Sequence, residues 1–139
     1  MPETVFWDTA AFVALANRDD ELHAAAIVVS QELARANARI LTTDAVLTEV
    51  ANTFCKTALR PMAYQVIAAF QASVRLRVAH LVHVDAGLWQ RGWQFFLDRP
   101  DKDWSLTDCI SFLVMQDRKV RRAFTSDRHF EQAMYEKLM

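Results

Sequence analysis

Four short β-prone runs, each stopped by an aspartate and separated by helix-prone stretches, constrain this chain more than any other feature. Val5-Phe6-Trp7 ends at Asp8, Arg39-Ile40-Leu41-Thr42-Thr43 at Asp44, Leu81-Val82-His83-Val84 at Asp85, and Arg122-Ala123-Phe124-Thr125-Ser126 at Asp127. Between them lie an alanine-rich segment, Thr9 to Asn17, and a breaker-free one, Leu22 to Ala38. Ala45 to Leu59 and Met62 to Arg77 carry apolar residues at helical spacing on either side of Pro61 and read as a helical hairpin. Leu88 to Leu97 is an aromatic helix, and Ser105 is a good N-cap for a helix running to about Gln116. The tail reads as a short helix followed by a frayed end or an edge strand. Strands that alternate with helices pair in parallel, so the expected class is α/β, a parallel sheet flanked by helices.

The length, 139 residues, suits one domain, and no repeat or Pro/Gly/Ser-rich linker divides it; residues 1–139 are expected to form a single unit. Glycine supplies the strongest exclusion. There are two, Gly87 and Gly92, so neither G-x-G-x-x-G nor a P-loop can be written and a backbone-amide phosphate cradle is ruled out. Cys55 and Cys109 are far apart and form no C-x-x-C pair, which argues against a disulfide scaffold and fits a reducing cytoplasm. The start lacks the basic region of a signal peptide, and no apolar run approaches a membrane span. A formal net charge of -1 gives no global attraction to nucleic acid.

The strand-closing acids decide what chemistry remains. In a parallel sheet the carboxyl ends of the strands share one edge, and ligands bind outside it. Asp8 and Asp127 therefore converge if their strands are neighbours. Two more carboxylates are oddly placed: Glu49 among Val46, Leu47, Val50 and Phe54, and Asp108 just before Cys109, Ile110, Phe112 and Leu113. Each has a bland reading. An aspartate after a strand is a common turn or cap residue, Asp108 completes a capping box with Ser105, and Glu49 suits a solvated helix face. Together they repel one another, and a cluster of this kind is tolerated around a hard divalent cation such as Mg²⁺ or Mn²⁺.

Val5-Phe6-Trp7-Asp8-Thr9, Glu49 within Thr43 to Val50, Trp104-Ser105-Leu106-Thr107-Asp108-Cys109, and Phe124-Thr125-Ser126-Asp127-Arg128-His129-Phe130 resemble, in order and spacing, the PIN domain. More narrowly they resemble the VapC-type ribonuclease toxins of toxin–antitoxin pairs. The resemblance implies a three-layer α/β/α sandwich around a mainly parallel sheet of four or five strands. It also implies carboxylate-held Mg²⁺ or Mn²⁺, hydrolysis of RNA, a cognate antitoxin and a homodimer. Position by position, Asp8, Glu49, Asp108 and Asp127 match the four family acids, with Glu49 reaching the metal directly or through water. Asp103 is an extra acid for an outer-sphere water, and Thr9 and Ser126 sit where hydroxyls orient carboxylate or phosphate. One departure is Ala133-Met134-Tyr135, where the family leads one to expect a glycine-containing turn; this leaves the last strand open.

Other residues admit two readings. Trp104, beside the acids, is a candidate for base stacking, and Arg118 and Lys119 for the RNA backbone, although cations also suit a helix C-terminus. Trp89, Trp93 and Phe96 at i, i+4, i+7 favour core or dimer packing. His80 and His83, three apart along a strand, point to opposite faces and make no metal pair, and His129 reads as a structural polar contact. Rival functions fare less well. An aspartate-nucleophile phosphatase needs a second acid where Ala10 stands. A receiver-like domain would use Asp85 but lacks its acid pair and late lysine. A non-catalytic binding module has no need of all four acids.

Overall fold

The computed structural model describes residues 2–139. Its elements run β1 (Thr4–Trp7), α1 (Thr9–Ala16), α2 (His23–Arg35), β2 (Arg39–Thr43), α3 (Asp44–Thr53), α4 (Arg60–Arg75), β3 (Ala79–Val82), α5 (Ala86–Asp98), α6 (Leu106–Arg118), β4 (Arg122–Phe124), α7 (Arg128–Gln132) and β5 (Glu136–Lys137). The five strands form one all-parallel sheet in the order β3-β2-β1-β4-β5, and the fold is a three-layer α/β/α sandwich.

Alternation along the central strands explains the layering. Val5 and Phe124 turn to one face and pack with Ala11, Ala14, Ala26 and Leu33 of α1 and α2. Phe6 and Ala123 turn to the other and pack with Phe112, Met115 and Phe130. Phe6 pairs with Ala123 and Trp7 with Phe124, so β1 and β4 are neighbours. The strand order reverses there, and a parallel sheet opens its ligand crevice at that point.

Helix ends carry the backbone strain of the fold. Asn37, Arg77, Lys119 and Met134 all adopt positive φ, from 54° to 73°. Each is the left-handed residue of a Schellman closure, as in Lys119 N–H to the Gln116 carbonyl and Val120 N–H to that of Met115. Neither glycine is used for this. The Met134 closure delivers the chain into β5, so the missing glycine does not cost the fold its last strand. Gly92 serves instead for packing: a Cβ there would lie 2.5 Å from Ile110 Cγ1, so α5 and α6 can approach only because it is glycine.

Three expectations need correction. The helix expected over Ala45 to Leu59 stops at Thr53, whose hydroxyl bonds back to the Glu49 carbonyl, and Phe54 turns into the core; a 3₁₀ turn, Thr57–Leu59, follows. The third strand begins two residues earlier than its apolar run, at Ala79, and ends at Val82, because the Val84 N–H is taken at 2.9 Å by Asp44 Oδ1. Asp85 consequently caps α5, accepting from the Leu88 N–H, rather than closing β3. Finally, of the core or dimer packing expected for Trp89, Trp93 and Phe96, the core alternative is excluded. They stack on one another along the exposed face of α5, at centroid distances of 6.0 and 5.7 Å.

Candidate active site

At the carboxyl edge of β1 and β4 lies a cavity of about 520 Å³ whose lining includes Asp8, Thr9, Asp20, Glu49, Asp103, Ser105, Asp108, Ser126, Asp127 and His129. Four helix-associated positions bring the acids there, Glu49 from the body of α3 and the other three from helix N-termini. Asp8 is the N-cap of α1 yet makes no side-chain cap bond, so its carboxylate is free to face the cavity. It is held instead by Thr125, whose hydroxyl donates to Asp8 Oδ2 at 2.9 Å and accepts from the Asp127 N–H at 3.0 Å. Asp127 caps α7, its Oδ1 accepting from the His129 N–H at 2.9 Å. Asp108 forms a complete capping box with Ser105 on α6. The capping explanation is thus correct for Asp108 and does not compete with the site, because one carboxylate serves both.

Imidazole and carboxylates meet closely. His129 Nδ1 lies 3.1 Å from Asp108 Oδ2 and 3.3 Å from Asp127 Oδ1. One ligand atom from each of these three residues falls within 4.8 Å of the others. Among the described residues, Asp108 Oδ1 and Asp127 Oδ2 have no protein partner. The Thr9 hydroxyl, beside Asp8, is buried and likewise unpartnered.

The electrostatics carry the cost of this convergence. Burial pushes the Asp8 carboxyl up to about 7, and the charges of Asp108 and Asp127 add to the shift. Burial also raises Glu49, again with Asp108 and Asp127 contributing, and raises Asp108 with Asp127 contributing. All three shifts have the sign of buried, crowded negative charge, which the His129 imidazole beside Asp108 offsets only in part. Free carboxylate oxygens, an orphaned hydroxyl and mutual repulsion form the hard, oxygen-rich donor set that Mg²⁺ or Mn²⁺ requires.

The structure sorts the remaining candidates. Thr9, Asp103 and Ser126 line the acidic cavity, Asp103 as an exposed loop residue. Trp104 does not act as a stacking platform: it is 5% exposed, donates Nε1–H to Gln132 and packs edge-on against Phe112 and Phe95. Arg118 and Lys119 are not with the acids either. They are the last residue and the C-cap of α6, at the opposite edge of the sheet, because in a parallel α/β fold helices end where strands begin. Two residues of the site, Thr125 buried behind the cavity and Asp20 in its lining, carry no role in the sequence pattern above. Thr125 has a readable signal, a polar residue inside an apolar strand two positions before a site acid. Asp20 caps a turn at the Leu22 N–H and carries no pattern that marks it.

A parallel α/β sandwich with a carboxylate crevice at its β1/β4 switch point defines the class. The PIN domain family model matches residues 5–134, and the chain belongs to that family. It is 28% identical over 130 residues, 93% of each chain, to the 23S rRNA-specific endonuclease VapC20 of Mycobacterium tuberculosis. The crystal structure of that organism's VapC20, described as a Sarcin-Ricin loop cleaving toxin, superposes with a TM-score of 0.78 at 25% identity, covering 94% of this chain and 95% of that one. VapBC2 from Rickettsia felis, solved bound to a DNA fragment from its promoter, shares the fold: TM-score 0.64, 12% identity, 96% of both chains. Among the described residues no helix is long and apolar enough to cross a membrane.

Proposed function

We propose that the chain is a single-domain, divalent-metal-dependent endoribonuclease, hydrolysing RNA phosphodiester bonds in the cytoplasm as the toxin of a type II toxin–antitoxin pair. The observation that carries this reading is the crowding of Asp8, Glu49, Asp108 and Asp127 around one cavity, with the proton affinity of Asp8, Glu49 and Asp108 raised by burial. Kinship with the endonuclease VapC20 supports it and makes 23S rRNA the first RNA to try. A cognate antitoxin and a homodimer belong to the same proposal.

Asp8, Asp108 and Asp127 would hold the ion, with Glu49 contributing directly or through water and Asp103 through an outer water. A bound Mg²⁺ or Mn²⁺ supplies Lewis-acid polarisation of the phosphate and a more acidic water. Thr125 fixes the orientation of Asp8. Glu49, half-buried with its pKa raised, is placed to accept the proton that the attacking water gives up as its oxygen bonds to phosphorus. Thr9 and Ser126 offer hydroxyls to the phosphate. The P–O bond to the leaving ribose oxygen then breaks, and that oxygen takes up a proton.

The test is incubation of the purified chain with total RNA in Mg²⁺, with and without EDTA, beside Asp8→Asn. Cleavage that EDTA and Asp8→Asn both abolish is expected. Equal cleavage in all three samples, or none in Mg²⁺ or Mn²⁺, overturns the reading.

A further inference from the structure

The edge of the sheet opposite the acids holds a second cleft, about 550 Å³, with the reverse charge. Arg39 from the start of β2, Arg77 from the α4–β3 turn and Arg118 from the end of α6 all line it. None of the three is in an ion pair among the described residues. The polar neighbour of Arg118 is His80, whose Nε2 lies 3.3 Å from Arg118 Nη2, so the imidazole faces the guanidinium as an acceptor and brings no negative charge. A helix dipole accounts for a cation at the end of α6. It does not account for Arg39, which opens a strand, nor for three arginines lining one cavity.

Apart from Thr4 and His80 the rest of the lining is apolar and includes Ile40, Val74 and Val120. Fork-shaped donors beside an apolar wall match a ligand with phosphoryl oxygens at one end and a flat, weakly polar body at the other. A lone carboxylate would leave most of this charge unmatched. We infer that this cleft is a nucleotide-binding site, taking a nucleotide unit by its phosphates, either as part of an RNA chain or as a free nucleotide. The inference rests on the cleft alone and not on the nuclease reading.

The test measures binding without cleavage. The full chain, in metal-free buffer, is titrated with ADP and separately with a fluorescein-labelled single-stranded RNA decanucleotide. Both titrations are repeated with Arg39→Gln/Arg77→Gln and with Arg118→Gln. The three side chains are on exposed residues, so thermal melts should be unchanged. Saturable binding of at least one probe is expected, weakened about tenfold for each guanidinium removed. Amide shifts should centre on Thr4, His80 and Val120 and spare Asp8. Preference for the decanucleotide identifies an RNA chain as the source, with a salt slope shallower by about 0.7 per arginine removed; preference for ADP identifies a free nucleotide. Absence of saturable binding, affinities unaffected by the substitutions, or equal binding of a glutamate-rich peptide of matched charge would each overturn the assignment.

Discussion

The Thr125 hydroxyl donates a 2.9 Å hydrogen bond to Asp8 Oδ2, joining the ends of β4 and β1 inside the core. Both residues are buried, Thr125 completely. Because the same oxygen accepts from the Asp127 N–H, one hydroxyl sets the relative position of two proposed metal ligands. Thr125→Val keeps the shape and removes the bond. Its expected cost is about 1–3 kcal/mol of stability, since a buried carboxylate loses its donor. Mg²⁺-dependent cleavage should fall further than stability does, and Thr125→Ser should restore both. Calorimetry and cleavage assays on the three proteins decide it; a valine variant with undiminished cleavage would show that Thr125 does not position Asp8.

The raised proton affinity of Asp8 fixes the sign of a pH effect on the metal-free protein. Its carboxyl titrates at about 3.9 in the unfolded chain and about 7 when folded. Between those values the folded state binds the extra proton, so the stabilisation is complete below about pH 4 and is lost as pH rises through about 7. Glu49 and Asp108 shift in the same direction. Metal-free protein should therefore melt at a higher temperature at pH 5 than at pH 8. The Asp8 contribution is at most on the order of 4 kcal/mol. Asp8→Asn should flatten the profile and raise the melting temperature at pH 8, while Mg²⁺ should stabilise the wild type there and the variant far less. Parallel pH profiles for wild type and variant would refute the desolvation account.

Most of the fold was legible because the chain repeats one instruction. A short apolar run stopped by aspartate, then a helix, specifies a parallel sheet whose acids gather at one edge. The convergence of Asp8 with Asp127 followed once β1 and β4 proved adjacent. What was not legible depended on tertiary partners. Asp44 captures the Val84 N–H and so shortens β3 from outside its own sequence. Trp104 and Trp93 look alike in composition, yet one finds Gln132 and a buried pocket while the other stays on the surface. Arg118 was assigned by charge, and charge carries no information about which edge of the sheet a helix ends on.

Met134 carries strain that a single substitution can release. It adopts φ 73° at the closure between α7 and β5 and is 91% exposed, so its side chain contributes little packing. Glycine removes the left-handed penalty of about 1–2 kcal/mol, less the entropy that glycine adds to the unfolded chain. Met134→Gly should therefore stabilise the domain by up to about 1 kcal/mol without altering cleavage. A denaturant midpoint lower than wild type would show that the Met134 side chain is worth more to the fold than its strain.

Gly92 is the opposite case, a glycine that the packing requires although its φ is ordinary. It sits in mid-helix, where alanine would ordinarily stabilise by about 1 kcal/mol. Here the added Cβ would meet Ile110 Cγ1 at 2.5 Å, and Ile110 is itself buried, so either α5 must lift from α6 or the isoleucine must leave its rotamer. Overpacking of this kind costs about 1–3 kcal/mol, which exceeds the propensity gain, and Gly92→Ala should be net destabilising. Trimming the partner separates the two effects. In an Ile110→Ala background the clash disappears, and Gly92→Ala should become neutral or stabilising, giving a coupling of about 1–3 kcal/mol in a double-mutant cycle. Additive effects of the two substitutions would mean that the approach of α5 to α6 is not set by this pair. Because α6 presents Asp108 in its first turn, the same cycle read on cleavage should show whether that approach also holds the acid in register with the site.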